Sequence, residues 1–400
     1  MSLRNLRGYA SLDLTLGPGP QLIWGPNAAG KTTLLEGVVL LALGRSHRTT
    51  TDAELIRWGT DFLRVEGVLG VVGQEAEPAS PELARMTTDS DDGSGSTTAP
   101  EGFRPDGTSL NISLQAGGRK RIQVNGVPRR PAALAEQLRT VLFAPEEMLL
   151  IVGSPTLRRS ALDQLAAPHD PLYGSHLSTY TRALSQRNSL LRQIRDGEAD
   201  RAQLRYWDEP FLTSGAAVVA ARLRLLELLT APLAAAHREI APAEEPLALD
   251  YATNAPLLHG ESPRDALARR LHETAEKEAW NGTTLVGPHR DDLVFRAGGR
   301  DLTTFASRGQ QRTAILALKL AELDLLTTLD GRPPLLLLDD VFSELDPLRR
   351  GHLVRRIAAL PQALITTTVP EDLDPDLRRR ARAWRVVADV EGTRVVEGGE

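Results

Sequence analysis

The sequence has no cysteine among its 400 residues, and its formal net charge is only -5. The missing cysteine excludes disulfides, thiolate metal sites and a cysteine-based hook between two chains. Residues 1–19 carry arginines and an aspartate without an unbroken apolar stretch, so we expect no signal peptide, no membrane span and a cytoplasmic protein. Heptads sustained over hundreds of residues are also missing, so any helical arm is short.

Charge is distributed unevenly along the chain. The negative total argues weakly against a nucleic-acid partner, because such proteins are often basic overall. Positive charge nevertheless clusters at Arg119-Lys120-Arg121 and Arg129-Arg130, beside an Asn125-Gly126 hairpin signal. A solvated surface is the favoured interpretation of any one cluster, because arginine is abundant throughout the chain.

A phosphate-binding loop is the clearest motif. It has the form G-x-x-x-x-G-K-[ST] and consists of Gly25, Pro26, Asn27, Ala28, Ala29, Gly30, Lys31 and Thr32, followed by Thr33. In such loops the backbone N–H groups face phosphate oxygens, the lysine reaches the outer phosphates and the hydroxyl ligates Mg²⁺. A short strand at residues 20–24 and an apolar helix at residues 33–43 flank the loop, which favours an ATP site over an accidental glycine-rich turn.

A second motif, Leu335-Leu336-Leu337-Leu338-Asp339-Asp340, completes this site. Four leucines predict a buried parallel strand that delivers carboxylates at its carboxyl edge. Buried carboxylates are costly without a cation, so we expect Asp339 and Thr32 to hold Mg²⁺. Asp340 is the candidate that orients and deprotonates the attacking water, with Lys31 assisting at the phosphates.

The remaining pattern predicts an α/β protein with sheet segments on both sides of a helical region. Alternation predicts strands within residues 3–16, 62–72, 110–114, 121–124, 284–286 and 293–295, and helical spacing predicts helices within 177–194 and 204–240. Pro210 predicts a bend or division of the second helix. Residues 74–108 are rich in Ser, Thr, Asp, Gly and Pro, which predicts a flexible surface loop.

These segments predict a nucleotide lobe that the helical lobe interrupts. We expect its first half at residues 1–142, a helical lobe with a short antiparallel hairpin at 143–284, and the second half at 285–400.

A third motif resembles the signature of ABC-type ATPases. It is Ser307-Arg308-Gly309-Gln310-Gln311-Arg312, followed by apolar residues at helical spacing, and the segment 343–346 resembles the D-loop of these enzymes. In ABC-type ATPases the signature of one subunit closes on the γ-phosphate held by another. The resemblance therefore implies that Ser307, Gly309 and Gln310 bind nucleotide in trans, and that ATP joins two heads. Taken alone, the motif is also compatible with an ordinary capped helix.

Within that superfamily the chain resembles the RecF family of bacterial DNA replication and repair ATPases. The resemblance rests on Gly287-Pro288-His289-Arg290-Asp291-Asp292, on the signature, on residues 338–346, and on the segments 44–57 and 143–159. It extends nearly from end to end. Glu147 stands where the family pattern suggests aspartate, and the stretch 74–108 is longer than the family needs.

The resemblance implies an ABC-type ATPase head with a mixed sheet around the phosphate loop. It further implies ATP-dependent dimerisation on double-stranded DNA near gaps, slow DNA-stimulated hydrolysis that releases the dimer, and help in loading RecA together with RecO and RecR. Arg48, Arg119, Lys120, Arg121, Arg129 and Arg130 are candidates for phosphate contacts to DNA.

Three further positions have open interpretations. Asp346 and Thr367 are candidate switch residues near the γ-phosphate, although Thr366-Thr367-Thr368 is also compatible with a plain polar strand end. His289 favours packing or signalling over metal binding. The rival functions are an ABC transporter ATPase subunit and another P-loop enzyme such as a kinase. The helical lobe length and the missing histidine after residues 363–365 weigh against the first, and the signature with its D-loop weighs against the second.

Overall fold

The chain folds into two compact units in a computed structural model that describes residues 1–70, 107–167, 170–389 and 392–398. Unit 1 comprises Met1–Pro18, Gly25–Leu138 and Ala383–Glu400, and unit 2 comprises Gly19–Trp24 and Arg139–Arg382. The predicted loop at 74–108 lies outside the described residues except for its last two. The predicted lobe boundaries, 1–142, 143–284 and 285–400, stay a prediction.

Strands alternate with helices along the chain. The strands are β1 Ser2–Leu6, β2 Tyr9–Asp13, β3 Gly19–Trp24, β4 Phe62–Leu69, β5 Thr108–Gln115, β6 Arg121–Val124, β7 Val127–Pro128, β8 Thr140–Phe143, β9 Leu247–Ala252, β10 Asp292–Ala297, β11 Arg300–Asp301, β12 Leu335–Asp339, β13 Gln362–Thr367, β14 Arg382–Asp389 and β15 Gly392–Glu397. The helices are α1 Lys31–Leu43, α2 Ala132–Gln137, α3 Leu149–Val152, α4 Pro155–Ala166, α5 Tyr173–Arg195, α6 Arg205–Ile240, α7 Pro263–Asn281, α8 Leu302–Phe305, α9 Arg308–Asp330, α10 Pro347–Ala358 and α11 Pro375–Arg380. Among the described residues, no helix combines the length and the apolar character needed to cross a bilayer.

Unit 1 is built on an antiparallel sheet with the strand order β2-β1-β4-β5-β6-β7. Its strands alternate as the sequence predicts. Leu63 and Val65 are buried, whereas Arg64 between them points outward. The inner face of this sheet packs on α1. The backbone at Gly67 lies so close to Leu41 of α1 that a side-chain carbon added at Gly67 would be 2.7 Å from the leucine.

Unit 2 places the strands β3, β13, β12 and β8 side by side, all parallel. Leu336, Leu337 and Leu338 of β12 are buried and Leu335 is half-buried, as expected in a parallel sheet, which is usually covered on both faces. Leu336 and Leu338 share one apolar core with Ile315 and Leu318 of α9. The carboxyl ends of β3, β13 and β12 consequently lie along one edge.

The long helices α5 and α6 pack against each other in unit 2. The rings of Tyr180 and Phe211 lie 5.1 Å apart, and Arg187 Nε donates to Asp208 at 2.8 Å. Helix α6 is continuous through Pro210, which excludes the division of the helix that was one of the two predicted effects, and the other, a bend, stays a prediction. Pro210 lies in the second turn and removes one hydrogen bond, to the carbonyl of the exposed Tyr206.

The predicted strand at residues 284–286 is also wrong. Side chains hold the backbone of this segment instead of a neighbouring strand: Glu278 accepts from Leu285 N at 2.7 Å, and Asn188 accepts from Thr284 N at 2.7 Å. The prediction at 293–295 is confirmed, since β10 covers these residues. Strand β10 lies in a separate three-stranded sheet with β9 and β11.

A buried charge cluster ties α9 to the segment after β8. Lys319 Nζ lies 2.6 Å from Glu147 Oε2 and 3.2 Å from Glu322 Oε2. Burial by itself lowers the pKa of Lys319, but the two carboxylates outweigh it and raise that pKa, so Lys319 stays charged. The cation is therefore the group that makes the buried carboxylate of Glu322 and the half-buried carboxylate of Glu147 tolerable.

We expect Lys319→Met to lower the free energy of unfolding by about 3–5 kcal/mol, because it leaves the carboxylates of Glu147 and Glu322 without their cation. Urea unfolding followed by circular dichroism measures this. The control, Arg201→Ala, breaks an exposed pair with Glu276 and is expected to cost at most about 1 kcal/mol. Equal effects of the two variants would contradict the prediction.

Candidate nucleotide site

The phosphate loop connects β3 directly to α1 and has the special backbone that its glycines allow. Gly25 has φ 156° and Gly30 has φ 111°, and Ala28 adopts the left-handed region with φ 63°. A side-chain carbon at Gly25 would collide with the carbonyl oxygen of Val386, and one at Gly30 would lie 2.9 Å from Thr393. Alternating backbone signs of this kind form a concave array of N–H groups suited to anions.

The Lys31 side chain folds over this loop. Its Nζ donates to the carbonyl oxygens of Gly25 at 2.8 Å and Pro26 at 2.9 Å, and the residue is only 7% exposed. The loop thus keeps its ammonium group inside the concave array. A phosphate entering there meets a positive charge and the amino end of α1, which has no acidic residue in its first turn.

Helix α1 carries a fully buried carboxylate, Glu36, that organises the segment after the helix. Arg7 Nε donates to Glu36 at 2.5 Å, Ser46 Oγ donates to it at 2.5 Å, and Arg48 Nη1 lies 3.7 Å away. Burial alone raises the pKa of Glu36, but these partners outweigh burial and lower it. Arg48, a predicted DNA contact, is therefore already ion-paired to the loop's own helix.

The carboxylate edge of unit 2 is organised by one threonine. Thr366 Oγ1 donates to Asp339 Oδ1 at 2.5 Å and accepts from Asp340 N at 3.0 Å. Asp339 is 5% exposed, so the hydrogen bond offsets part of its burial cost. In the strand register Thr366 pairs with Asp339, and Thr367 pairs with Trp24, the residue just before the phosphate loop. Trp24, the last residue of β3, therefore lies at the edge where β12 delivers Asp339.

Asp340 leaves β12 in the left-handed backbone region, with φ 52°. Aspartate and asparagine adopt this region more readily than other non-glycine residues, because the short side chain can bond locally. This backbone gives a physical reason for aspartate, where many ABC-type ATPases carry glutamate.

The signature residues form the amino end of α9. Ser307 Oγ accepts from Gln310 N at 3.2 Å, and the Gln310 side chain accepts from Ser307 N at 2.9 Å, which completes a capping box. Ser307 and Gly309 are exposed, and the nearest atom to a side-chain carbon placed at Gly309 is Ser307 Oγ at 3.8 Å. Because Ser307 Oγ accepts in the cap, its own proton remains for donation to an anion.

The two predicted switch residues each have local partners. Asp346 caps α10 by accepting from Leu348 N and Arg349 N at 3.0 Å, and it pairs with the Arg349 side chain. Burial opposes ionisation of Asp346, but the bonds from Arg349 outweigh it and lower the pKa. Thr367 Oγ1 donates to the carbonyl of Val369 at 3.2 Å. Sequence reasoning chose Thr367 and missed Thr366, because only the strand register shows which of the two hydroxyls faces Asp339.

His289 is enclosed by other groups of unit 2. Its Nδ1 lies 2.5 Å from Tyr180 Oη, and its Nε2 lies 3.3 Å from the carbonyl oxygen of Thr284. Burial lowers its pKa to about 4, so the ring is neutral at neutral pH. Both nitrogens are used within the protein, which supports the packing interpretation over metal binding.

The donor groups present suit Mg²⁺ rather than a metal that needs a protein cage. Within the described ranges no group of three or more His, Cys, Asp or Glu side chains converges. Mg²⁺ keeps several waters and commonly takes one or two protein oxygens together with phosphate oxygens. The assignment of Thr32 and Asp339 as its protein ligands stays a prediction.

Comparisons with known proteins agree with this chemistry. A family model described as an AAA domain matches residues 1–93. The chain is 38% identical over 401 residues to the DNA replication and repair protein RecF of Chloroflexus aggregans, covering 96% of this chain and 97% of that protein. It is 37% identical over 388 residues to the protein of the same name from Lacticaseibacillus casei, with 96% of each chain covered.

Solved structures give the same picture. A structure of the recombination mediator protein RecF with ATP, in the RecFOR pathway, superposes with a TM-score of 0.82 at 29% identity, covering 100% of this chain and 96% of that one. The Smc head domain of Pyrococcus furiosus superposes with a TM-score of 0.52 at 14% identity, which shows the fold alone, and covers 100% and 95% of the two chains. The predicted fold, an ABC-type ATPase head of the α/β class, is confirmed.

We expect Thr366→Val to slow ATP hydrolysis by about 10- to 100-fold, because the carboxylate of Asp339 loses the hydroxyl that orients it. Steady-state phosphate release and nucleotide titration measure turnover and binding separately. Thr366→Ser keeps the hydroxyl and is expected to stay near wild type. If Thr367→Val slows hydrolysis and Thr366→Val does not, the sensing hydroxyl belongs to Thr367.

Asp340→Asn is expected to lower hydrolysis by about 100- to 10,000-fold while nucleotide still binds, because asparagine keeps the left-handed backbone but cannot take a proton from water. The measurement is single-turnover hydrolysis beside a thermal melt. Asp376→Asn, on an exposed aspartate of α11, is the matched control. Unchanged hydrolysis in Asp340→Asn, where wild type turns over, would remove Asp340 from the catalytic role.

Proposed function

The chain belongs to the RecF family of DNA replication and repair proteins, and on that premise we propose that it is an ATP-dependent switch. ATP binding joins two copies on duplex DNA near single-strand gaps, and slow hydrolysis releases them. The observation that carries this proposal is the exposed, capped start of α9 at Ser307, in a chain that also holds the phosphate loop and the Asp339 edge.

ATP binding rests on the phosphate loop. The N–H groups from Asn27 to Thr33 surround the phosphates, and Lys31 exchanges its contacts with Gly25 and Pro26 for phosphate oxygens. Mg²⁺, when bound by Thr32 and Asp339, offsets the charge of the phosphates.

Hydrolysis depends on Asp340 and on Thr366, the residue that positions it. Asp340 orients the attacking water and accepts its proton. The Thr366 hydroxyl accepts a hydrogen bond from Asp340 N and donates one to the Asp339 carboxylate. A weak ATPase that DNA stimulates is what a switch needs, because the dimer must last long enough to act. Asp346 and Thr367 stay predictions for communication near the γ-phosphate.

Dimerisation requires a second copy because the signature completes the site in trans. Ser307, Gly309 and Gln310 lie on an exposed helix start, where the Ser307 proton and the helix dipole favour an anion. The γ-phosphate of ATP held by one copy is the anion that they bind on the other. ADP lacks that group, so it does not hold the dimer together.

DNA binding is assigned to exposed arginines of unit 1. Arg119, Arg121, Arg129 and Arg130 are exposed, and none of them has a carboxylate within ion-pair distance among the described residues. Lys120 differs, because its Nζ lies 2.7 Å from Asp52 Oδ1. Arg48 has Glu36 nearby. Lys120 and Arg48 stay predicted DNA contacts. To bind DNA, each would have to exchange its carboxylate partner for a DNA phosphate. Phosphate contacts alone give binding without base readout and with a strong salt dependence.

The family and the named relatives support a proposed cellular role. One solved relative is described as a recombination mediator in the RecFOR pathway. We extend this to the present chain: a cytoplasmic, nucleoid-associated protein that acts with RecO and RecR at gapped DNA and helps to place RecA there.

The mass in solution is expected to double with ATP and to stay that of a monomer with ADP or without nucleotide, because the signature binds only a γ-phosphate. Light scattering after size-exclusion chromatography, with and without a duplex, measures it. Ser307→Arg is expected to bind ATP yet remain a monomer, and Lys31→Arg is expected to lose ATP binding and dimer together.

Ser178→Arg places the same change on an exposed position of α5 and is expected to dimerise like wild type. A monomer under every condition would remove the dimer mechanism while leaving ATP binding in place. A dimer that persists in Ser307→Arg would remove the role of the signature.

A further inference from the structure

Trp58 is the most exposed large apolar side chain among the described residues, at 99%. An indole normally contributes by burying its large apolar surface, and here it buries almost none. Phe62, at the start of β4, is also exposed, at 47%. These two aromatic residues contribute little to the core of unit 1, so their apolar surface is free for a ligand.

The turn that carries Trp58 is firmly held by backbone bonds. Arg57 N donates to the carbonyl of Asn5 at 2.9 Å, and Thr60 N donates to the carbonyl of Arg57 at 3.1 Å. The Arg57 side chain donates to the carbonyl of Gly8 at 2.5 Å. The indole is therefore presented on a fixed support, and binding does not have to order the chain there.

Exposed arginines lie at the same end of the sheet. Ala116 N donates to the carbonyl of Asp61 at 2.7 Å, which places the turn between β5 and β6 beside the start of β4. Arg119 lies in that turn and is exposed.

The outward face of the sheet continues this positive charge. Arg121 pairs in register with Ser113, and Ser113 pairs with Arg64, so all three side chains share the outer face. Arg64 is ion-paired with Glu66. Arg121 has no carboxylate partner in the described part of the chain. Asp61 is exposed nearby. Asp52 is ion-paired with Lys120, so the net charge around Arg119 and Arg121 stays positive.

We propose that Trp58 stacks on an unpaired nucleobase of DNA while Arg119 and Arg121 bind the adjoining phosphates. This rests on the proposed function, DNA binding, and adds which feature of the DNA is recognised. Bases inside a duplex are already stacked on one another, so a free base face is present only at ends, gaps and single-stranded stretches. The inference therefore gives a chain that otherwise binds only phosphates a physical means to prefer gaps.

Charge favours this ligand over a protein. Exposed tryptophan and arginine also occur in protein interfaces. Arginines without carboxylate partners beside an aromatic face, however, match a ligand that combines repeated anions with flat rings. Nucleic acid has both features in every residue.

The test compares two DNAs in the presence of ATP. Fluorescence anisotropy measures the affinity for a labelled gapped duplex, and a relaxed, covalently closed circle competes as DNA without ends or gaps. Trp58→Ala is expected to weaken binding to the gapped duplex by about 5- to 150-fold and to leave the affinity for the circle within about twofold. Trp58→Phe keeps an aromatic face and is expected to retain most of the preference.

Matched variants separate stacking from charge and from folding. Trp280→Ala removes another exposed tryptophan, 83% exposed on α7, and is expected to change neither affinity. Trp58→Ala is expected to keep the salt dependence of binding. A combined change of Arg119→Ala and Arg121→Ala is expected to reduce the slope of log affinity against log salt by about 1–2.

Three outcomes would overturn the inference. In the first, Trp58→Ala weakens binding to the gapped duplex and to the circle equally. In the second, it weakens binding to neither DNA. In the third, it leaves DNA binding intact but prevents binding of purified RecR, which would assign the residue to a protein contact. Wild-type protein that binds neither DNA would instead reject the proposed function. The two failures are therefore distinguishable.

Discussion

The parallel alignment of β3, β13 and β12 is the constraint on which the rest of the ATP chemistry depends. It brings Asp339 of β12 to the edge of the sheet at which β3 ends. Thr366 lies on β13, between β12 and β3. A carboxylate so deeply buried is unfavourable unless other groups compensate it. The Thr366 hydroxyl supplies one hydrogen bond, and a bound cation would supply the opposite charge. The strand pairing therefore decides both where the Asp339 carboxylate lies and which neighbour orients it.

Buried charges connect functional segments to the core in each unit. Glu36 joins the helix after the phosphate loop to Arg7 and to the segment that carries Arg48. Lys319 joins the signature helix to Glu147. Removing the cationic partners of a buried carboxylate such as Glu36 or Glu322 leaves that carboxylate without compensation, which costs more than breaking a surface pair. A change in either cluster would consequently disturb stability together with the position of α1 or α9.

The overall charge of the chain says little about its partner, because ion pairing decides which cations are available. Lys120 and Arg119 are neighbours in the sequence, yet Lys120 is ion-paired with Asp52 and Arg119 is exposed without such a partner in the described residues. Likewise, Arg48 lies near Glu36, whereas Arg129 is exposed without a carboxylate partner in the described residues. A chain with a net charge of -5 can thus present a locally positive surface. The exposed Trp58 at that surface adds a flat apolar group that phosphate binding alone does not need.

The amino-acid sequence by itself determined the phosphate loop, the strand ending in Asp339 and the capped start of α9. These features are local, since a fixed spacing of glycine, lysine, leucine or serine within about ten residues is enough to define them. Tertiary structure alone decided that Thr366 rather than Thr367 contacts Asp339, that residues 284–286 are held by Glu278 and Asn188 instead of a strand, and that Lys120 is ion-paired. The pairs Thr366–Asp339, Asn188–Thr284 and Lys120–Asp52 join groups far apart in the chain, and a local pattern contains no information about which distant side chain will supply the hydrogen bond or the opposite charge.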